Sequence, residues 1–102
     1  MTITVGTLSL HIHLAGCSSL KEKRGRLKPL LSRLQQKFNV SVAEIDYLDV
    51  WQDAAIACTL VGNDKNHVQR SLQKINQWVE KNWPDVDVVD DCIELISFSN
   101  SK

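Results

Sequence analysis

Hydrophobic positions along the chain fall into six runs, two at helical spacing and four at the spacing of strands. Ile3 and Val5 alternate with polar neighbours, then Leu8, Leu10, Ile12 and Leu14 alternate on the opposite parity. One long strand with a bulge at Gly6-Thr7 is expected. Leu20, Leu27, Leu30, Leu31, Leu34 and Phe38 recur at helical intervals, and Ser19 followed by Glu22 reads as the capping box of that helix. Strands are expected from about Val40 to Tyr47 and from about Gln52 to Val61, the second apolar on both faces. Gly62-Asn63-Asp64 makes a turn and an N-cap, and Val68, Leu72, Ile75 and Val79 form the stripe of a second helix that Pro84 ends. Val86 to Ile96 is the last strand, and residues 97–102 read as a frayed tail.

The order βαββαβ is a split pair of right-handed units. It predicts an α+β ferredoxin-like sandwich: an antiparallel four-stranded sheet in spatial order 4-1-3-2, with both helices on one face. A chain of 102 residues suits one such domain, residues 1–96, and buries roughly 60–65% of its unfolded surface without staples. With Leu8, Leu10, Ile12, Ile56, Cys58 and Leu60 turned to the helices, the open face carries Ser9, His11, His13, Ala55, Ala57 and Thr59. It has no aromatics on the central strands, which argues against base stacking of the RNA-recognition-motif kind. His11, His13, Ala55, Ala57 and Thr59 are instead the candidate face of a homodimer.

Charge changes the picture because it is unevenly spread. The total is zero, but Leu20 to Lys37 holds seven Lys or Arg against Glu22 alone. Val40 to Asp64 holds five acids and no base, and Asp85 to Glu94 holds five more. The basic part centres on SLKEKRGRLKPL, residues 19–30. Leu20 is in phase with Leu27, as a helix unbroken from Ser19 requires, and Pro29 falls on the solvent crest where a bend is tolerated. The alternative starts the helix at Pro29, a favoured first position. Lys21 and Lys28 project from one flank, Arg26, Arg33 and Lys37 from the other, with Lys23 and Arg24 near the core edges. Two readings stay open for these cations: a solvated face whose stems cover apolar surface, or phosphate contact through Lys21, Lys23, Arg24, Arg26, Lys28 and Arg33.

Candidate chemistry is sparse. Cys17, Cys58 and Cys92 are odd in number and far apart, so neither a disulfide framework nor a CxxC site can be written from them, and a reducing cytoplasm is the expected home. Cys17 precedes the first helix with no His or acid positioned to activate it, and reads as structural. His11 and His13 share a strand face and would need Glu44 or Asp46 to suggest a metal site; spacing fixes no third ligand, so no metal and no cofactor are expected. His67 falls on a helix flank. Trp51 reads as a loop-tip anchor, and Trp78 and Trp83 as packing. The N-terminus has neither the basic region of a signal peptide nor an unbroken apolar run, so no membrane partner is expected. The loop after the first strand, LAGCSSL, lacks the glycine-rich phosphate cradle and arginine of acylphosphatases, and no Walker, Ser-His-Asp or deaminase signature is present. An enzyme is not expected.

SLKEKR at 19–24, FNVSVAEID at 38–46, and DVWQ with LVGND within 49–64 resemble the bacterial YlxP-like family over nearly the whole chain. The resemblance implies a small cytosolic ferredoxin-like domain without established activity, whose genes often lie among those for translation and ribosome assembly. The chain departs from the family pattern at the RGR of residues 24–26, where glycine weakens a helix. Together these features point to a non-enzymatic accessory factor that docks its basic first helix on ribosomal RNA or the small subunit. The alternative is a homodimeric interaction module using the open face, with no nucleic acid bound.

Overall fold

Buried and more exposed positions alternate without a break from Thr4 to His13, within strand β1, Thr2–His13. The computed structural model describes residues 1–99. Helix α1 runs from Leu20 to Phe38, strand β2 from Ser41 to Asp46 and strand β3 from Asp53 to Gly62. Helix α2 runs from Lys65 to Asn82 and strand β4 from Asp87 to Ser99. The sheet is antiparallel in order β2-β3-β1-β4, the expected 4-1-3-2 read from its other edge. The expected ferredoxin-like architecture is present.

Local chemistry explains both helix starts. Ser19 Oγ accepts from Glu22 N at 3.0 Å, and Glu22 Oε2 in return accepts from Ser18 N at 3.3 Å, one residue earlier than in a strict capping box. With this cap in place α1 begins at Leu20 and carries Pro29 inside it, so the start at Pro29 is set aside. Asn39 ends α1 in the left-handed region, φ 52°, its N–H donating to Gln35 O at 3.1 Å. Asp64 caps α2 by accepting from Asn66 N and His67 N. Leu27, Leu30 and Leu34 of α1, and Val68, Leu72, Ile75 and Val79 of α2, then meet Leu8, Leu10, Ile12, Ile56 and Cys58 in one buried core.

Two expectations about the sheet are corrected. The β1 register against β3 is continuous from Thr4 to His13, so there is no phase slip at Gly6-Thr7; the irregularity lies between His11 and Ile12, in the pairing with β4. Thr4 and Gly6 face the helices in phase with Leu8, which leaves Ile3 and Val5 on the open face. Gly6 is there because α2 approaches closely: a Cβ on it would lie 2.5 Å from Val68 Cγ1 and 2.8 Å from Leu72 Cδ1. The second correction concerns the tail. Ser97, Phe98 and Ser99 are paired in β4 opposite Thr4, Ile3 and Thr2, because β1 extends far enough to offer them partners; residues 100–102 lie outside the described residues.

Gly6 on β1 and Gly25 on α1 separate cleanly by experiment. Gly6→Ala forces Val68 and Leu72 aside and lowers stability by about 1–3 kcal/mol. Gly25→Ala, on α1 with nothing within 4 Å of the added carbon, raises it by about 1 kcal/mol. Urea denaturation midpoints check both.

Candidate functional site

The basic segment does not present its six candidate cations as one surface. Lys21, Arg24 and Lys28 are exposed along one stripe of α1. Lys23 is 1% exposed; its Nζ lies 2.8 Å from Glu44 Oε2 and donates to Tyr47 O at 2.6 Å. Arg26 forks onto Asp85, with Nε 2.9 Å from Oδ2 and Nη2 3.1 Å from Oδ1, and its Nη1 donates to Ala15 O at 2.9 Å. The hydrogen-bonded Asp85 carboxylate holds the Arg26 pKa above its ordinary value. Lys23 and Arg26 are therefore removed from the phosphate-contacting set: their charges are already answered by carboxylates of this chain. Arg33 is exposed on the α1 flank that faces α2, beside Lys37, Trp78 and Trp83. Lys21, Arg24, Lys28 and Arg33 have no ion-pair partner among the described residues.

The open sheet face brings together His11, His13, Ala55, Ala57 and Thr59, each half-buried. Residues that sequence reasoning missed join them. Asp53, opposite His13, holds both histidines on one carboxylate oxygen, 3.0 Å from His11 Nε2 and 3.4 Å from His13 Nδ1. These bonds, from His11 first and then His13, lower the Asp53 pKa below its ordinary 3.8. The Tyr47 ring stacks on His11 at 4.8 Å and 17°. Glu44 and Asp46 are not the acids beside the histidine pair: Glu44 takes Lys23, and Asp46 Oδ1 accepts from Tyr47 N. Among the described residues no group of His, Cys, Asp and Glu is arranged to hold a metal ion.

At the other end of the same face β1 pairs Val5 with Val61 and with Ile96, and Ile3 with Phe98. Val61, Ile96 and Phe98 are 66%, 57% and 53% exposed, and Ile3 is 37% exposed. This apolar patch is continuous across three strands. The hydropathy alternation of β4 could have revealed it, since Ile96 and Phe98 are in step with the open-face positions.

Cys17 is fully buried, its Sγ 3.5 Å from Ser19 O, and burial pushes the Cys58 thiol up to about 11. Trp51 is 49% exposed rather than packed, in a shallow hollow with Asp49, Val50 and Gln52. His67 is exposed in the first turn of α2. No helix among the described residues is long and apolar enough to cross a membrane.

A four-stranded antiparallel sheet with two helices on one face defines the class of ferredoxin-like sandwich proteins. Residues 5–91 match the model of the family described as "Protein of unknown function (DUF503)", and the chain belongs to that family. It is 38% identical over 69 residues to the "Uncharacterized protein YlxP" of Bacillus subtilis (strain 168), covering 68% of this chain and 74% of the relative. Among solved structures it is similar to a protein of unknown function from Nitrosomonas europaea, at TM-score 0.55 and 13% identity, covering 100% of this chain and 94% of the other. It is also similar to a dimeric ferredoxin-like protein of unknown function from Thermobifida fusca, at TM-score 0.51 and 11% identity, covering 94% and 92% of the two chains. At these identities the structural likenesses establish the fold.

Two predictions follow from the charge pairs. Lys23→Met leaves Glu44 without its counter-ion and costs about 3 kcal/mol, the low end for a broken buried pair because 22% of the Glu44 side chain stays exposed. Lys23→Met with Glu44→Leu recovers most of that loss in denaturant titrations. The Asp53 pKa is lower folded than unfolded, so its contribution to stability is present above pH 3.8 and is lost as pH falls through the lowered value. Asp53→Asn removes this component, and the stability difference between wild type and variant narrows below that pH.

Proposed function

We propose that this protein is a non-enzymatic, cytoplasmic accessory module that associates with ribosomal RNA, on the small subunit, through the exposed cations of α1. The observation that carries this reading is the set of α1 cations without a carboxylate partner among the described residues, Lys21, Arg24, Lys28, Arg33 and Lys37. Where this chain has a use for a basic group it supplies the acid, as Glu44 does for Lys23 and Asp85 for Arg26. The stripe of Lys21, Arg24 and Lys28 is left with its charge turned to solvent, and a phosphate backbone is the polyanion such a stripe fits. Its free cysteines, two of them buried, suit a reducing compartment.

A second reading is favoured by a separate observation. The apolar patch of Ile3, Val5, Val61, Ile96 and Phe98, followed past Thr7 and Thr59 by the small side chains of Ala57 and Ala55, supports a homodimer with open faces stacked. Strands of 12, 6, 10 and 13 residues, at about 3.3 Å per residue and about 4.8 Å apart, offer a face of about 650 Å², close to the ~800 Å² per partner that stable interfaces bury. The similar Thermobifida fusca protein is dimeric. The two readings use opposite faces and are compatible.

Co-sedimentation with small ribosomal subunits across a salt series tests the first reading. Replacing Lys21, Arg24 and Lys28 by Gln is expected to weaken binding and flatten the log–log salt slope by about 0.7 per lost single-strand contact. Equal affinity and slope for variant and wild type would leave the stripe a solvated flank. Light scattering tests the second: wild type is expected as a dimer, and Ala57→Glu or Ile96→Asp as folded monomers. A wild type that stays monomeric at high concentration rejects it.

A further inference from the structure

The flank of α1 that faces α2 carries chemistry that neither the crest stripe nor the open face uses. A groove of ≈ 630 Å³ opens between the helices, walled by Arg33, Lys37, Trp78 and Trp83. Across Lys37 it meets a second hollow of ≈ 360 Å³, to which His67 and Lys74 contribute. Neither has an Asp or Glu in its wall, although the chain carries 12 acids. Arg33, Lys37 and Lys74 have no carboxylate partner among the described residues. Lys37 is held 5.7 Å above the Phe38 ring, whose edge contact with Trp78 is 5.7 Å between centroids, and Trp83 tilts against Trp78 at 6.0 Å. Both tryptophans are half-buried, so each is anchored by packing and still forms part of the groove wall.

The geometry points to a binding site for single-stranded nucleic acid in this interhelical groove, with phosphates along Arg33, Lys37 and Lys74 and bases against Trp78 and Trp83. A cleft of one sign of charge concentrates a polyanion. Indole surfaces add what an acidic peptide would not use, a platform on which any base stacks irrespective of sequence. The part of α1 from Pro29 to Phe38 runs about 15 Å at about 1.5 Å per residue. That is room for about four nucleotides at a stacked spacing of about 3.4 Å. The site deepens the proposed association with RNA and rests on that reading, but it moves the decisive contacts from the crest of α1 to its α2 flank.

The test uses the full chain with Trp51→Phe, so that fluorescence reports Trp78 and Trp83 alone. Titration with single-stranded oligo(A) or oligo(U) RNA is expected to quench this emission. Trp83→Leu is expected to weaken oligo(A) binding by about tenfold with the salt slope kept. The surface pair Lys37→Gln with Lys74→Gln, which spares the packed indoles, is expected to flatten the slope by about 1.4. Replacing Lys21, Arg24 and Lys28 by Gln should change oligonucleotide affinity less than the Lys37/Lys74 pair does. Binding lost with the crest variants and untouched by the groove variants would overturn the groove while leaving RNA association standing. Quenching by a poly-glutamate peptide and not by RNA, or by neither, would overturn the groove, and the co-sedimentation series decides RNA association separately.

Discussion

The ammonium of Lys23 is the constraint around which the rest of this molecule is arranged. A charge only 1% exposed carries a desolvation penalty of several kcal/mol, offset only if a counter-ion and an acceptor are built to meet it. Glu44 on β2 and the carbonyl of Tyr47 are those partners, at 2.8 and 2.6 Å. Meeting them fixes the roll of α1 about its axis: with Lys23 turned in toward β2, Leu27, Leu30 and Leu34 fall on the core, and Lys21, Arg24 and Lys28 are turned out. The same contact reaches round the edge of the sheet. Tyr47, at φ 59°, offers its carbonyl to the helix layer while its ring lies on His11 on the open face, and His11 in turn is held by Asp53. Two surfaces on opposite sides of the sheet are thus joined by one short chain of contacts.

The regular parts of this structure were readable from side-chain periodicity, and the irregular parts depended on distant partners. Ser19 with Glu22, the leucines of α1 and the alternation of Leu8, Leu10 and Ile12 are local signals, and each element they predict is present. Gly6 was misread because two causes leave the same trace. A bulge that returns Ile3 and Val5 to the core and an unbroken strand that leaves them on the other face both put a parity change at that point. What decides is the closeness of Val68 and Leu72, some sixty residues downstream. Together with the reading of residues 97–99 as tail, that choice hid the apolar patch, since Ile3, Val5 and Phe98 are among its members.

The fate of the cations was hidden for the same kind of reason. Lys23 and Arg24 are neighbours with similar expected positions, yet one is buried and the other exposed, because Glu44 happens to project from β2 toward α1. Arg26 is claimed by Asp85, which only the packing of the β4 approach beside α1 brings near. Histidine placement was legible and its acid was not: His11 and His13 were assigned to one face, but Asp53 enters that face through the register of β3. Charge runs in a sequence state how many groups there are, whereas pairing decides how many remain to meet a partner.

What remains is divided by end as well as by face. On the open face the end with His13 holds Asp53, Asp87 and Asp90, and the end with Ile3 holds Val61, Ile96 and Phe98. An isologous contact sets a patch against its own copy. If two faces met with opposite ends in register, the acids of one copy would be desolvated against the apolar end of the other. If like ends met, isoleucine, valine and phenylalanine would be buried on themselves, but the acidic ends would oppose each other. The arrangement that avoids both penalties is a shifted overlap of apolar ends, leaving the histidine–aspartate ends in water. That register buries less than a full face, so the apolar patch and not the alanines would carry most of such an association, while the acids on β4 discourage edge-to-edge pairing of the sheets.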